Sequence, residues 1–125
     1  MTAEASLAVV IFAAAGARFG LPARQVIAMR PGTDAETGYI TIEALLGLPH
    51  EAATATTSRL LMLRMGDGQV TVLVPGEVVM RDLPSQAIHR LPDLVAARSR
   101  VNGIAALALD EAGLLTLVNP VPPSP

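Results

Sequence analysis

Acid–base and nucleophilic chemistry need titratable side chains held within hydrogen-bond reach of one another, and this chain supplies few. Its histidines are His50 and His89. Each falls in a predicted loop or strand end, and neither belongs to a His-x-His or H-E-x-x-H pattern, so nothing supports a metal site. His50 precedes Glu51, but adjacent residues on a strand point to opposite faces. Ser58, His89 and Asp93 have the residue types of a Ser-His-Asp triad, yet no G-x-S-x-G elbow accompanies them. Gly66 and Gly68 form no G-x-G-x-x-G and open no helix, so they read as turn glycines rather than a phosphate cradle. The chain has no cysteine, and all of its 9 basic residues are arginine. Thiolate nucleophiles, disulfides, Schiff bases and a phosphate-loop lysine are therefore excluded. No catalytic residue, cofactor or metal is expected.

Composition narrows the remaining classes. A chain of 125 residues with 51% apolar side chains can bury a core as a single domain. Its only aromatics are Phe12, Phe19 and Tyr39, so Leu, Val, Ile, Met and Ala must fill that core. A net charge of −2 and three scattered aromatics offer neither the basic face nor the stacking platform of a nucleic-acid binder. Arg98 and Arg100 lie close together, but two arginines read as a solvated loop. The run ASLAVVIFAAAGA, Ala5 to Ala17, is uncharged, yet it lacks a basic n-region and is shorter than the ~20 residues of a membrane helix. It reads as a buried first strand, and the expected location is the cytoplasm without membrane insertion.

Strand signals dominate the elements that would position these residues. LAVVIFAA is apolar and β-branched, and Gly16 permits a tight turn into RFGLP. QVIAM follows, closed by Pro31-Gly32, and RPGTDAETG is a polar loop. YITI is a short strand, and EALLGLP is one helical turn stopped by Gly47 and Pro49. His50 to Ser58 is a small, polar loop. RLLMLRM and QVTVLV around Gly-Asp-Gly predict a hairpin, and GIAALAL with GLLTLV around DEA predict another. GEVVMRDL is a strand ended by Pro84, and SQAIHRLPDL, Ser85 to Leu94, is a connector in which Ile88 anchors the chain and Pro92 turns it. The tail NPVPPSP cannot continue a sheet or helix. No repeat of fixed period is evident. Many short strands with Gly/Pro turns predict an all-β barrel or sandwich.

The order of these elements resembles the CheW-like domain, the coupling module of bacterial chemosensory arrays. VVIFAAAGARFGLPARQVIAM is similar to that family's opening strand, turn, aromatic-Gly-apolar step (Phe19-Gly20-Leu21) and spaced valine, Val26. ITIEALLGLP resembles its strand and short helix, with Glu43 where aspartate is usual. RLLMLRMGDGQVTVLVPGEVVMRDLPSQAIHRLPDL follows its middle strands, and VNGIAALALDEAGLLTLVN its closing hairpin. The resemblance covers residues 7 to 119, leaving 120 to 125 as a proline-rich tail. It implies a non-catalytic fold of two small, intertwined SH3-like β-barrels with one short helix. It also implies partners: a histidine kinase regulatory domain, a chemoreceptor cytoplasmic tip, or both. Val26 matches the family's partner-facing valine by position. Met29, Ile42, Leu46 and Leu48 are further candidates for that surface, with plain core as the competing reading for all five.

Three departures shape the expectations. The interval Arg30 to Gly38 is too short for the Asn-Leu-Arg-Gly-like strand that precedes ITIEALLG in the family, so the first barrel is expected to be abbreviated. Pro75 and Glu77 replace an acidic and a small apolar residue, and the proline tail replaces a C-terminal helix. A missing strand exposes unpaired N–H and C=O groups on its neighbour, which favours a homodimer or a strand-addition complex. The competing function is a small β-barrel ligand-binding domain or enzyme that shares the fold. A buried pocket joining His89 to Asp82 or Asp93 would favour it, whereas an exposed His89 beside a filled barrel favours the scaffold.

Overall fold

A computed structural model describes residues 6–32, 38–49, 57–66 and 68–120. The strands are β1 (Ser6–Ala14), β2 (Ala17–Pro22), β3 (Val26–Pro31), β4 (Ile40–Thr41), β5 (Ser58–Met65), β6 (Gly68–Pro75), β7 (Val79–Pro84), β8 (Ile88–Arg90), β9 (Ile104–Asp110) and β10 (Gly113–Val118). Two helices accompany them, α1 (Ile42–Leu46) and α2 (Asp93–Arg98). The strands form a six-stranded sheet, β7-β1-β2-β10-β9-β8, and a four-stranded sheet, β3-β5-β6-β4.

The unbroken apolar run of β1 follows from burial on both faces. Val10 and Phe12 enter one core with Phe19, Leu21, Leu61, Leu63, Val72, Val74 and the α1 residues Ile42, Leu45 and Leu46. Val9 and Ile11, one step along the pleat, enter a second core with Leu83, Ala106, Ala108, Leu115 and Leu117. Alternate residues of one strand thus feed two cores, which is how the two halves intertwine. Phe12 and Phe19 are opposite each other in the β1–β2 register and stack at 5.9 Å in the first core. The hairpin between them turns on Ala15 (φ 50°) and Gly16 (φ 78°). Two successive positive-φ residues suit the right-handed twist of the strands, and glycine adopts this conformation freely.

The second core requires the larger sheet to curl. β7 and β8 are its opposite edges, joined only by the 3-10 turn Ser85–Ala87. Six flat strands would separate those edges by ~24 Å, while the four steps from Pro84 to Ile88 reach at most ~14 Å. The sheet therefore folds into a half-barrel with Leu83, Ala108 and Leu115 inside.

A local repeat underlies both halves. In Leu21-Pro22, then Ala23–Gln25, then Val26, a strand turns through a 3-10 helix into the next strand. Leu83-Pro84, then Ser85–Ala87, then Ile88 does the same. Pro22 (φ −56°) and Pro84 (φ −65°) open the two corners. Leu21 is buried in the first core and Leu83 in the second, with Val26 and Ile88 packed against the respective cores.

The all-β, two-core architecture agrees with the sequence reading, and α2 adds a second short helix to the single one expected. α2 begins in the last two residues of what reads as a connector and runs four residues past it. Pro92 precedes its first turn, with Asp93 near the N-terminus and Arg98 near the C-terminus. Both charges suit the helix dipole. β3 is an edge strand, and among the described residues no strand pairs with its outer side. Residues 33–37, within the shortened interval, and 121–125 of the tail lie outside the described residues.

Candidate protein-protein interface

β3 pairs with β5 as Val26↔Leu63, Ala28↔Met62 and Met29↔Leu61, with a register shift between Val26 and Ala28. Ile27 is the extra residue of that bulge. Without it, Val26 and Met29 would point to opposite faces. With it, both lie on the side of Leu61 and Leu63, which are fully buried in the first core. Their own burial differs, because β3 has no described neighbour beyond it. Val26 is half-buried, whereas Met29 is 51% exposed and Ile27 41%. Met29 thus faces the core side of an open sheet edge.

The other candidates sit elsewhere. Ile42 and Leu46 are fully buried in α1, so they belong to the plain core and support a surface only from beneath. Leu48 is half-buried against the same core, and its N–H donates to Glu43 O. α1 packs on β4 and β6, whereas β3 is at the other end of the sheet order. The five residues therefore do not share one face: Val26 and Met29 form a strand-edge pair, joined by Ile27. Sequence reasoning missed Ile27 because a bulge leaves no mark in residue order.

The two halves meet through amide groups. Asn102 Nδ2 donates to Leu45 O at 2.9 Å and Asn102 N to Leu46 O at 2.9 Å. This satisfies two carbonyls at the end of α1. Gln25 Nε2 donates to Asn119 Oδ1, linking the residue before Val26 to the end of β10. Asn119 N donates to Gly103 O at 2.7 Å. The strand that carries Val26 and Met29 is thus anchored to the second half at its root.

The residues suited to catalysis stay apart. His89 lies opposite Leu107 in β8 and is exposed, as are Asp82 and Asp93. Ser58 begins β5 in the other sheet. His50 and Glu51 lie outside the described residues. No three His, Cys, Asp or Glu side chains among the described residues cluster closely enough to hold a metal ion. The ion pair between Arg18 and Asp110 is structural. Arg18 donates through Nη1 and Nη2 to Asp110 Oδ1 and Oδ2, at 2.8 and 2.6 Å. These bonds push the Asp110 carboxyl down to about 2 and raise Arg18. No helix among the described residues is long and apolar enough to cross a membrane.

A scan of protein-family models matches none to this chain, and a search of curated proteins likewise finds no match. Among solved structures, the chain is similar to the scaffolding protein TtCheW from Thermoanaerobacter tengcongensis. The TM-score is 0.70 at 11% identity, over 94% of this chain and 91% of that one. The chain has the CheW-like fold.

Proposed function

We propose that this chain is a non-catalytic coupling or scaffold module of a bacterial chemosensory system. It binds a histidine kinase regulatory domain, a chemoreceptor tip, or both, through protein-protein contacts. The observation that carries this reading is the likeness to the scaffolding protein TtCheW, which spans nearly the whole chain. The exposed positions of His89, Asp82 and Asp93 also favour it over the enzyme or ligand-binding alternative. The binding surface is centred on Val26, Ile27 and Met29 of β3. Its affinity would come from apolar side chains at a sheet edge, supplemented by main-chain bonds to a partner strand. Leu48 forms a separate apolar site beside α1. The working place of such a module is the cytoplasm, at the inner ends of receptors.

The test is affinity capture with the tagged chain from its native host, with the captured proteins identified. Recovery of a histidine kinase or chemoreceptor, lost with Met29→Asp, supports the proposal. Equal recovery with Met29→Asp removes β3 from it, and recovery of neither protein with the wild-type chain removes the signalling role.

A further inference from the structure

Peroxides react with side-chain sulfur, and a reactive cysteine thiolate is the usual first target. This chain has no cysteine, so its sulfur is confined to five methionines. Met1 lies outside the described residues. The other four differ sharply in access. Met65 is 4% exposed within the first core, whereas Met29 is 51% exposed and Met80 68%. Met62 is half-buried. Met80 is the most exposed large hydrophobic residue among those described.

The two open sulfurs share a setting. Met29 lies on β3 opposite Leu61, and Met80 lies on β7 opposite Val10. Directly opposed residues of an antiparallel pair share a face, and both Leu61 and Val10 belong to the first core. Each methionine therefore carries the apolar face of that core onto the outermost strand of its sheet. A thioether suits this place because it is flexible and apolar. A sulfoxide does not, because its oxygen is a strong hydrogen-bond acceptor. β3 is held by its ladder to β5 and β7 by its ladder to β1. Oxidation thus changes the face of each edge and leaves the backbone frame in place.

We propose that Met29 and Met80 are sites of reversible oxidation by peroxide, and that the sulfoxide at Met29 releases the partner bound at β3. The release rests on the coupling function proposed above. A lone pair of the methionine sulfur attacks one oxygen of hydrogen peroxide, and the S–O bond forms as the O–O bond breaks. The leaving hydroxide takes the proton of the transferred oxygen and departs as water. Sulfur gives up two electrons and the peroxide is reduced. The reverse step needs two electrons and two protons, supplied by a dithiol of the sulfoxide-reductase class, and returns the oxygen as water. At Met29 the new oxygen sits where a partner needs apolar contact, so affinity falls without unfolding.

Two experiments test this. In the first, the purified chain alone is treated with hydrogen peroxide, and sulfoxide at each methionine is followed by peptide mass spectrometry. Met29 and Met80 should oxidise at least ~10-fold faster than Met65, with circular dichroism unchanged. Equal rates at all three would overturn the site assignment. In the second, calorimetry measures binding to the kinase regulatory domain of the same host before and after peroxide. The oxidised wild type should bind at least ~10-fold more weakly, and a methionine sulfoxide reductase should restore it. Met29→Leu, whatever its own affinity, should show the same affinity before and after peroxide, whereas Met80→Leu should still lose affinity. Wild-type binding insensitive to peroxide, or an equal loss in Met29→Leu, would overturn the release. If the reduced chain binds neither that domain nor a receptor tip, the coupling function fails and the release with it. The first experiment decides the modification independently of that outcome.

Discussion

Arg18 grips Asp110 with both terminal guanidinium nitrogens across 92 positions of sequence, fastening the start of β2 to the end of β9. The same carboxylate accepts the Ala112 N–H at 2.9 Å, which shapes the turn into β10. One ion pair thus closes the rim of the half-barrel and sets its last hairpin.

Arg18→Ala should lower stability near neutral pH by about 1 kcal/mol, a value discounted for the partial exposure of the arginine. The pH dependence follows from Asp110, whose carboxyl is lowered from 3.8 to about 2. A lowered acid contributes stability above its unfolded value and loses it as pH falls through the folded one. The wild type should therefore lose this contribution between about pH 4 and pH 2, and Arg18→Ala should lack that step. Urea titrations across this window measure the difference.

Leu21 and Leu83 occupy equivalent corners in separate cores. Leu21→Ala should cost about 3 kcal/mol and Leu83→Ala a similar amount, because each leaves a cavity that the fixed Pro corner cannot collapse. Thermal melts should show both losses. If either substitution is silent, the corresponding corner does not anchor its barrel.

Gly103 has φ +74°, and a Cβ there would press into the backbone of Asn119 and Pro120. Gly103→Ala should destabilise by at least ~1–3 kcal/mol. It should also loosen the Asn119 contact to Gln25, measurable as faster amide exchange at Val26.

Ile42→Asp buries a charge in the first core and should prevent folding. Met29→Asp is made at a half-exposed edge and should change stability by less than ~0.5 kcal/mol. Circular dichroism and chemical denaturation separate the two. A large loss from Met29→Asp would mean that Met29 works as core rather than surface.

Much of this architecture was legible in residue order. The hairpin of β5 and β6 follows from alternation around Gly66 and Gly68, and that of β9 and β10 from the matching pattern around Asp110 and Gly113. Local patterns say nothing of the parallel pairings, β2 with β10 and β4 with β6, because their partners are far apart in sequence. The Leu-Pro corners make no repeat in the sequence because they share only Leu, Pro and a β-branched residue. α2 was hidden because six residues with none buried carry no amphipathic signal. At the candidate interface, Val26 and Met29 were visible as apolar residues. Their common face was not, since it depends on the Ile27 bulge. Ile42 and Leu46 show the converse: helical spacing cannot tell a core-facing pair from a partner-facing one.

Calorimetric titration of this chain with the regulatory domain of a histidine kinase from the same host tests the central claim most directly. The account predicts saturable binding by the wild-type chain and at least ~10-fold weaker binding by Met29→Asp, with the fold of the variant unchanged. Equal affinity of the two proteins, or no binding by the wild type to either that domain or a receptor tip, would contradict it.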